Sequence, residues 1–77
     1  MQRVQLYSRK GCHLCESALA TLQELQQELD FEIEEIDIDG NDLLQAKYGD
    51  LVPVIHINDV HHDFYRLDPV RFRKAIT

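Results

Sequence analysis

Two cysteines three positions apart, Cys12 and Cys15, follow Arg9, Lys10 and Gly11 in the stretch "SRKGCHLCESA". A pair of thiols at this spacing can cycle between dithiol and disulfide, supply half of a metal site, or do neither. On a helix the i, i+3 spacing places both sulfurs on one face, within reach of each other. A helix that begins at Cys12 offers its unpaired amides and partial positive charge to that sulfur, which favours the thiolate, the nucleophilic form. Arg9 and Lys10 act in the same direction, and His13, when charged, adds to them. Cys15, one turn further in, is expected to be more buried and less ionised. The asymmetry suits a two-step exchange in which Cys12 attacks a disulfide and Cys15 resolves the mixed disulfide.

The elements that must carry this pair can be read from the hydrophobic pattern. "RVQLYS" (3–8) alternates as a short strand and leads into the glycine loop. From about Cys12 to Leu29, Leu14, Ala18, Leu22, Leu25 and Leu29 recur at helical spacing, so Cys12 is expected in the first turn of an amphipathic helix. "FEIEEIDI" (31–38) is strand-like, but Phe31 and Ile33 are out of phase with Ile36 and Ile38. Either a bulge or cover on both faces accounts for that. A short helix follows, capped by Asn41 or Asp42 and stopped at Gly49. "VPVIHIND" (52–59) is a strand entered through Pro53, Asn58 and Asp59 turn the chain, and "VHHDFY" (60–65) pairs back as a hairpin arm. Asp68 and Pro69 open a last helix whose inner side draws on Val70, Ala75 and Ile76, with Phe72 on its margin. The order is β-α-β-α-β-β-α, an α/β fold with a four-stranded mixed sheet and helices on both faces.

Composition narrows the function. At 77 residues the chain is one small domain, 1–77, without room for a second core. A 12–15 bridge closes too short a loop to stabilise it much, so bonding between these cysteines speaks for reactivity rather than stapling. The net charge of −6 argues against a nucleic-acid partner. No run is long enough to span a membrane and no apolar segment of signal length is visible, so the expectation is a cytoplasmic monomer. In a reducing compartment a C-x-x-C pair is more often catalytic or metal-binding than structural.

With strand, "GCHLC" and helix in that order, and "LVPV" opening a strand some forty residues on, the chain resembles the glutaredoxin branch of the thioredoxin fold. More narrowly it resembles small glutaredoxin-like proteins with a Cys-His-Leu-Cys centre. The resemblance implies a thiol–disulfide oxidoreductase acting on a disulfide-containing protein or small thiol. Cys12 would be the nucleophile and Cys15 the resolving thiol. Val52–Pro53 would be a cis peptide beside them, with Val52 offering backbone hydrogen bonds to an extended substrate. No bound cofactor is implied; glutathione or another thiol reductant would supply electrons. The chain departs from the family pattern in having His13 and Leu14 between the cysteines and no Gly-Gly turn after the hairpin, and Asp68 would repel the carboxylate of glutathione. Two rival readings use the same residues. One is a metal or iron–sulfur module built on the cysteines, which His61 or His62 would join singly because adjacent strand residues face opposite ways. The other is a non-catalytic adaptor of the same fold.

Overall fold

The computed structural model describes residues 2–76. Its elements are β1 (Gln2–Ser8), α1 (His13–Gln26), β2 (Phe31–Asp37), α2 (Asp42–Tyr48), β3 (Val54–Ile57), β4 (Val60–Phe64) and α3 (Pro69–Ile76). The four strands form one sheet in the order β2-β1-β3-β4. β1 runs parallel to β2 and antiparallel to β3, and β4 is antiparallel to β3. A helical crossover joins the parallel pair and a two-residue turn joins the last antiparallel pair, as connection length requires.

Period-two alternation along β1 divides the core. Val4 and Leu6 lie on one face with Phe31 and Ile55, against Ala18, Leu22 and Leu25 of α1 and Phe72 and Ile76 of α3. Tyr7 lies on the other face with Val54, against Leu44 and Tyr48 of α2. β2 shows why its sequence changes phase. Its register with β1 is unbroken, pairing Val4 with Ile33 and Tyr7 with Ile36, so no bulge is present. Phe31 and Ile33 serve the α1 face, Ile36 points to the α2 face, and Ile38, just past the strand, joins the α2-side core.

Two helix boundaries and one buried face differ from expectation for local reasons. Cys12 is the N-cap of α1 and not part of its first turn: its backbone is extended and its sulfur accepts the Cys15 N–H, the place a Ser or Asp oxygen usually takes. α1 ends at Gln26, short of Leu29, because the N–H groups of Glu28 and Leu29 both turn back to the Leu25 carbonyl. In α3, Phe72 is fully buried and anchors the helix through an edge-on contact with Phe31, while Val70 is mostly exposed. Asp68 caps that helix by accepting from the N–H groups of Val70 and Arg71. Asn41, rather than Asp42, caps α2.

At the hairpin, Asn58 and Asp59 both adopt positive φ, 52° and 69°. This is the turn whose twist matches antiparallel strands, and Asn and Asp tolerate it better than most residues. The pairing then slips between Ile55 and His56, so that His62 faces no residue of β3.

Candidate functional site

The cysteine pair sits at the end of the sheet where β1 delivers the chain to α1. Gly11 takes φ 73°, a left-handed turn that a side chain would strain, and it swings the chain into the helix cap. The loop is tied on both sides. The Arg9 guanidinium donates to the Gly49 carbonyl at the end of α2 at 3.1 Å, and the Lys10 N–H donates to Asp39 at 3.1 Å. Cys12 is thereby held half-buried at the helix N-terminus, with the Cys15 backbone nitrogen 3.2 Å from its sulfur. Both cysteines are free thiols.

Cys15 is buried among Ile38, Tyr48, Val52 and Val54, and Cys12 packs against the same cluster. Burial pushes the Cys15 thiol up to about 12; the hydrogen bond and charge of Cys12 add to this, and the backbone and charge of Arg9 oppose it. The direction follows from solvation: a thiolate formed among these apolar side chains would lose the water that stabilises its charge.

Val52 and Pro53 form the wall beside the pair. Their peptide bond is cis and both residues are buried. The Tyr65 N–H donates to the carbonyls of Leu51 and Pro53, at 2.9 and 2.7 Å, fixing the end of β4 behind this segment. Among the described residues, the N–H and carbonyl of Val52 lying between those two acceptors make no hydrogen bond. Leu14, Leu51 and Tyr65, each 37–52% exposed, surround this region with apolar surface. An open groove of about 360 Å³ runs along the other flank, past Arg9, Lys10, Cys15 and Glu16 to Glu35 and Asp37.

The structure thus brings together Cys12, Cys15, Val52, Pro53 and the backbone of Arg9 and Lys10. It does not bring in the imidazole of His13, which is almost fully exposed and lies 3.7 Å from Glu16. His61 and His62 lie on opposite faces. His62 packs on Phe72 of α3, and His61 on His56. Among the described residues, no group of three or more His, Cys, Asp or Glu side chains stands where it could hold a metal ion. Tyr48 packs in the core cluster with Cys15, the packing its sequence position suggests, though its place beside the thiol was not foreseen. Its signal was present: it falls four residues after Leu44, on the inner stripe of α2.

Comparison with known proteins adds three kinds of likeness. Residues 3–77 match the model of the glutaredoxin-like domain, DUF836. An uncharacterized protein of Mycobacterium tuberculosis, Rv0508, is 35% identical over 79 aligned positions that span 96% of this chain and 81% of that protein. Protein Ne2328 from Nitrosomonas europaea, solved by NMR, superposes with a TM-score of 0.87 at 38% identity, covering 99% of this chain and 92% of that one. A mutant thioredoxin from Halobacterium salinarum superposes at 0.71 over 97% of this chain and 71% of its own, but at 19% identity it shares the fold alone.

Proposed function

The chain belongs to the glutaredoxin-like domain family, and from that premise we propose that it is a thiol–disulfide oxidoreductase working through Cys12 and Cys15. The observation that carries the reading is the Cys12 sulfur: half-exposed at a helix N-terminus, accepting the Cys15 N–H, and packed beside the buried Val52. An N–H aimed at sulfur is accepted more strongly by a thiolate than by a thiol.

In the forward step the Cys12 thiolate attacks one sulfur of a substrate disulfide. That S–S bond breaks, a mixed disulfide forms, and the leaving substrate sulfur departs as a thiolate. Cys12 is now uncharged, so two of the causes that hold the Cys15 thiol high, the hydrogen bond and the charge of Cys12, are gone, while the pull of Arg9 remains. Cys15 then yields its proton to the leaving thiolate and attacks the Cys12 sulfur. The second substrate sulfur leaves and takes a proton from water. The substrate has gained two electrons and two protons, and the protein holds a Cys12–Cys15 disulfide. A thiol reductant, glutathione or another, returns it to the dithiol.

The substrate reading follows from the surface around the pair. Val52 presents a free N–H and carbonyl to an extended chain, and Leu14, Leu51 and Tyr65 suit apolar neighbours of a protein disulfide. The amides that open α3 are already taken by the Asp68 carboxylate, which disfavours a second carboxylate there, including that of glutathione. We place the protein in the cytoplasm as a monomer. The test is turnover with insulin as a protein disulfide and with a glutathione mixed disulfide. Cys12→Ser abolishes both; Cys15→Ser accumulates a mixed disulfide on Cys12; and insulin is the better substrate. Full turnover by Cys12→Ser contradicts the assignment.

A further inference from the structure

A second group of side chains that could bind a ligand lies on the α2 face of the sheet, with Tyr7 and Tyr48 packed between it and the thiol cluster. His56 of β3 and His61 of β4 are directly paired across the hairpin. As the second pair out from a two-residue turn they are of the non-hydrogen-bonded kind, in which side chains on the same face approach most closely. Their ring centroids are 5.6 Å apart, with planes at 76°. Tyr7 and Tyr48 pack on the other side of His56, at 5.0 and 6.0 Å, and fix its orientation. No hydrogen bond occupies a nitrogen of either imidazole among the described residues, and neither ring is sealed from solvent.

We propose that His56 and His61 form a chelating site for a divalent first-row transition-metal ion, with water completing the coordination. A metal ~2.1 Å from one nitrogen of each ring sets the centroids roughly 4.5–6.5 Å apart, a range that includes the observed separation. Imidazole suits zinc, nickel and copper, whereas magnesium and calcium prefer oxygen. Burial lowers the pKa of His56, with His61 and Lys47 adding and Asp59 opposing, a direction that favours the neutral imidazole a metal requires. The tyrosine rings hold the His56 imidazole in place by packing against it. Neither cysteine takes part, so the proposal stands or falls separately from the redox reading.

Two measurements test it on the untagged full chain. In the wild-type protein, imidazole NMR during titration with Zn²⁺ shows His56 and His61 shifting together, with His62 unmoved. In a Cys12→Ser/Cys15→Ala background, which removes competing thiols, calorimetry with Cu²⁺, Ni²⁺ and Zn²⁺ gives one ion per chain, copper tightest and Mg²⁺ without effect. His56→Gln and His61→Gln each weaken binding at least tenfold, and His62→Gln does not. Unperturbed His56 and His61 resonances, or unchanged affinity in either of the two single variants, overturns the proposal.

Discussion

The most quantitative consequence of the site is a difference in thiol reactivity within one helical turn. At pH 7.5 an ordinary thiol with a pKa near 8.5 is ~10% thiolate, whereas one at about 12 is thiolate in only ~3 in 10⁵ molecules. Alkylation proceeds through the thiolate, so Cys15 in the folded protein should react with iodoacetamide roughly 3,000-fold more slowly than in the unfolded chain. Transient unfolding sets a floor: at ~5 kcal/mol of stability, roughly one chain in 5,000 is open. The two routes are comparable, and the net protection should be on the order of 10³. Cys12, with its sulfur half-exposed at the cap, should label first and alone. Peptide mapping by mass after timed quenches, with and without urea, reads both rates. A second variant probes the cause. Cys12→Ser removes the thiol whose hydrogen bond and charge raise the Cys15 pKa, so Cys15 should label faster there than in the wild type. If Cys15 labels within about tenfold of its unfolded rate, or ahead of Cys12, burial is not what governs it and the division of roles fails.

Other perturbations follow from the same structure. Phe72→Ala empties the joint between α3 and the sheet and should cost ~3–5 kcal/mol, read as a lower urea midpoint. Acid should destabilise the fold through His62, whose ring packs on Phe72 with a buried Nε2 that has no partner among the described residues. Burial lowers its pKa in the folded state; Asp63 opposes this and Arg71 reinforces it, both to a smaller extent. Below about 6.5 the unfolded chain therefore binds a proton that the folded chain refuses, and stability falls as pH drops; His62→Leu should flatten that dependence in urea melts at pH 5 and 7. Gly11→Ala, forced into positive φ with no contact to relieve it, should lower stability by ~1 kcal/mol by the same measurement. Arg9→Gln removes a charge that pulls the Cys15 pKa down and should slow the alkylation of Cys15 in the folded protein, read by the same peptide mapping.

The order of elements and the sheet were legible because the strongest signals in this chain are periodic. The Ala18, Leu22 and Leu25 stripe, the alternation around Val4 and Leu6, and the Asp68–Pro69 helix start each have a local physical cause. The cysteine pair was legible for the same reason: its meaning lies in three residues of spacing and one glycine. What local pattern could not supply was the tertiary choice between equivalent options. Ile33 and Ile36 announce a change of face, but only their pairing with Val4 and Tyr7 shows which face each serves. Phe72 has the spacing of a marginal residue and becomes central because Phe31 and His62 close on it. Hydrophobic spacing likewise carried the expected helix on to Leu29, where backbone bonds to Leu25 end it. His13 looked like a neighbour of Cys12 in the chain, yet a residue just past an N-cap points outward, and Glu16 is what it meets. The His56–His61 pair was readable in principle. Counting outward from Asn58 and Asp59 sets the two opposite each other, whereas attention to the adjacent His61 and His62 leads away from it.

The central claim is that Cys12 and Cys15 act as one two-electron couple. Equilibrating the purified, metal-free protein in glutathione buffers of graded potential, then trapping thiols and weighing the intact chain, tests it directly. The account predicts a single reversible transition in which both thiols disappear together and the chain loses the mass of two hydrogens. Two thiols that are lost independently, or that pass to glutathione adducts without an internal disulfide at any potential, would contradict it.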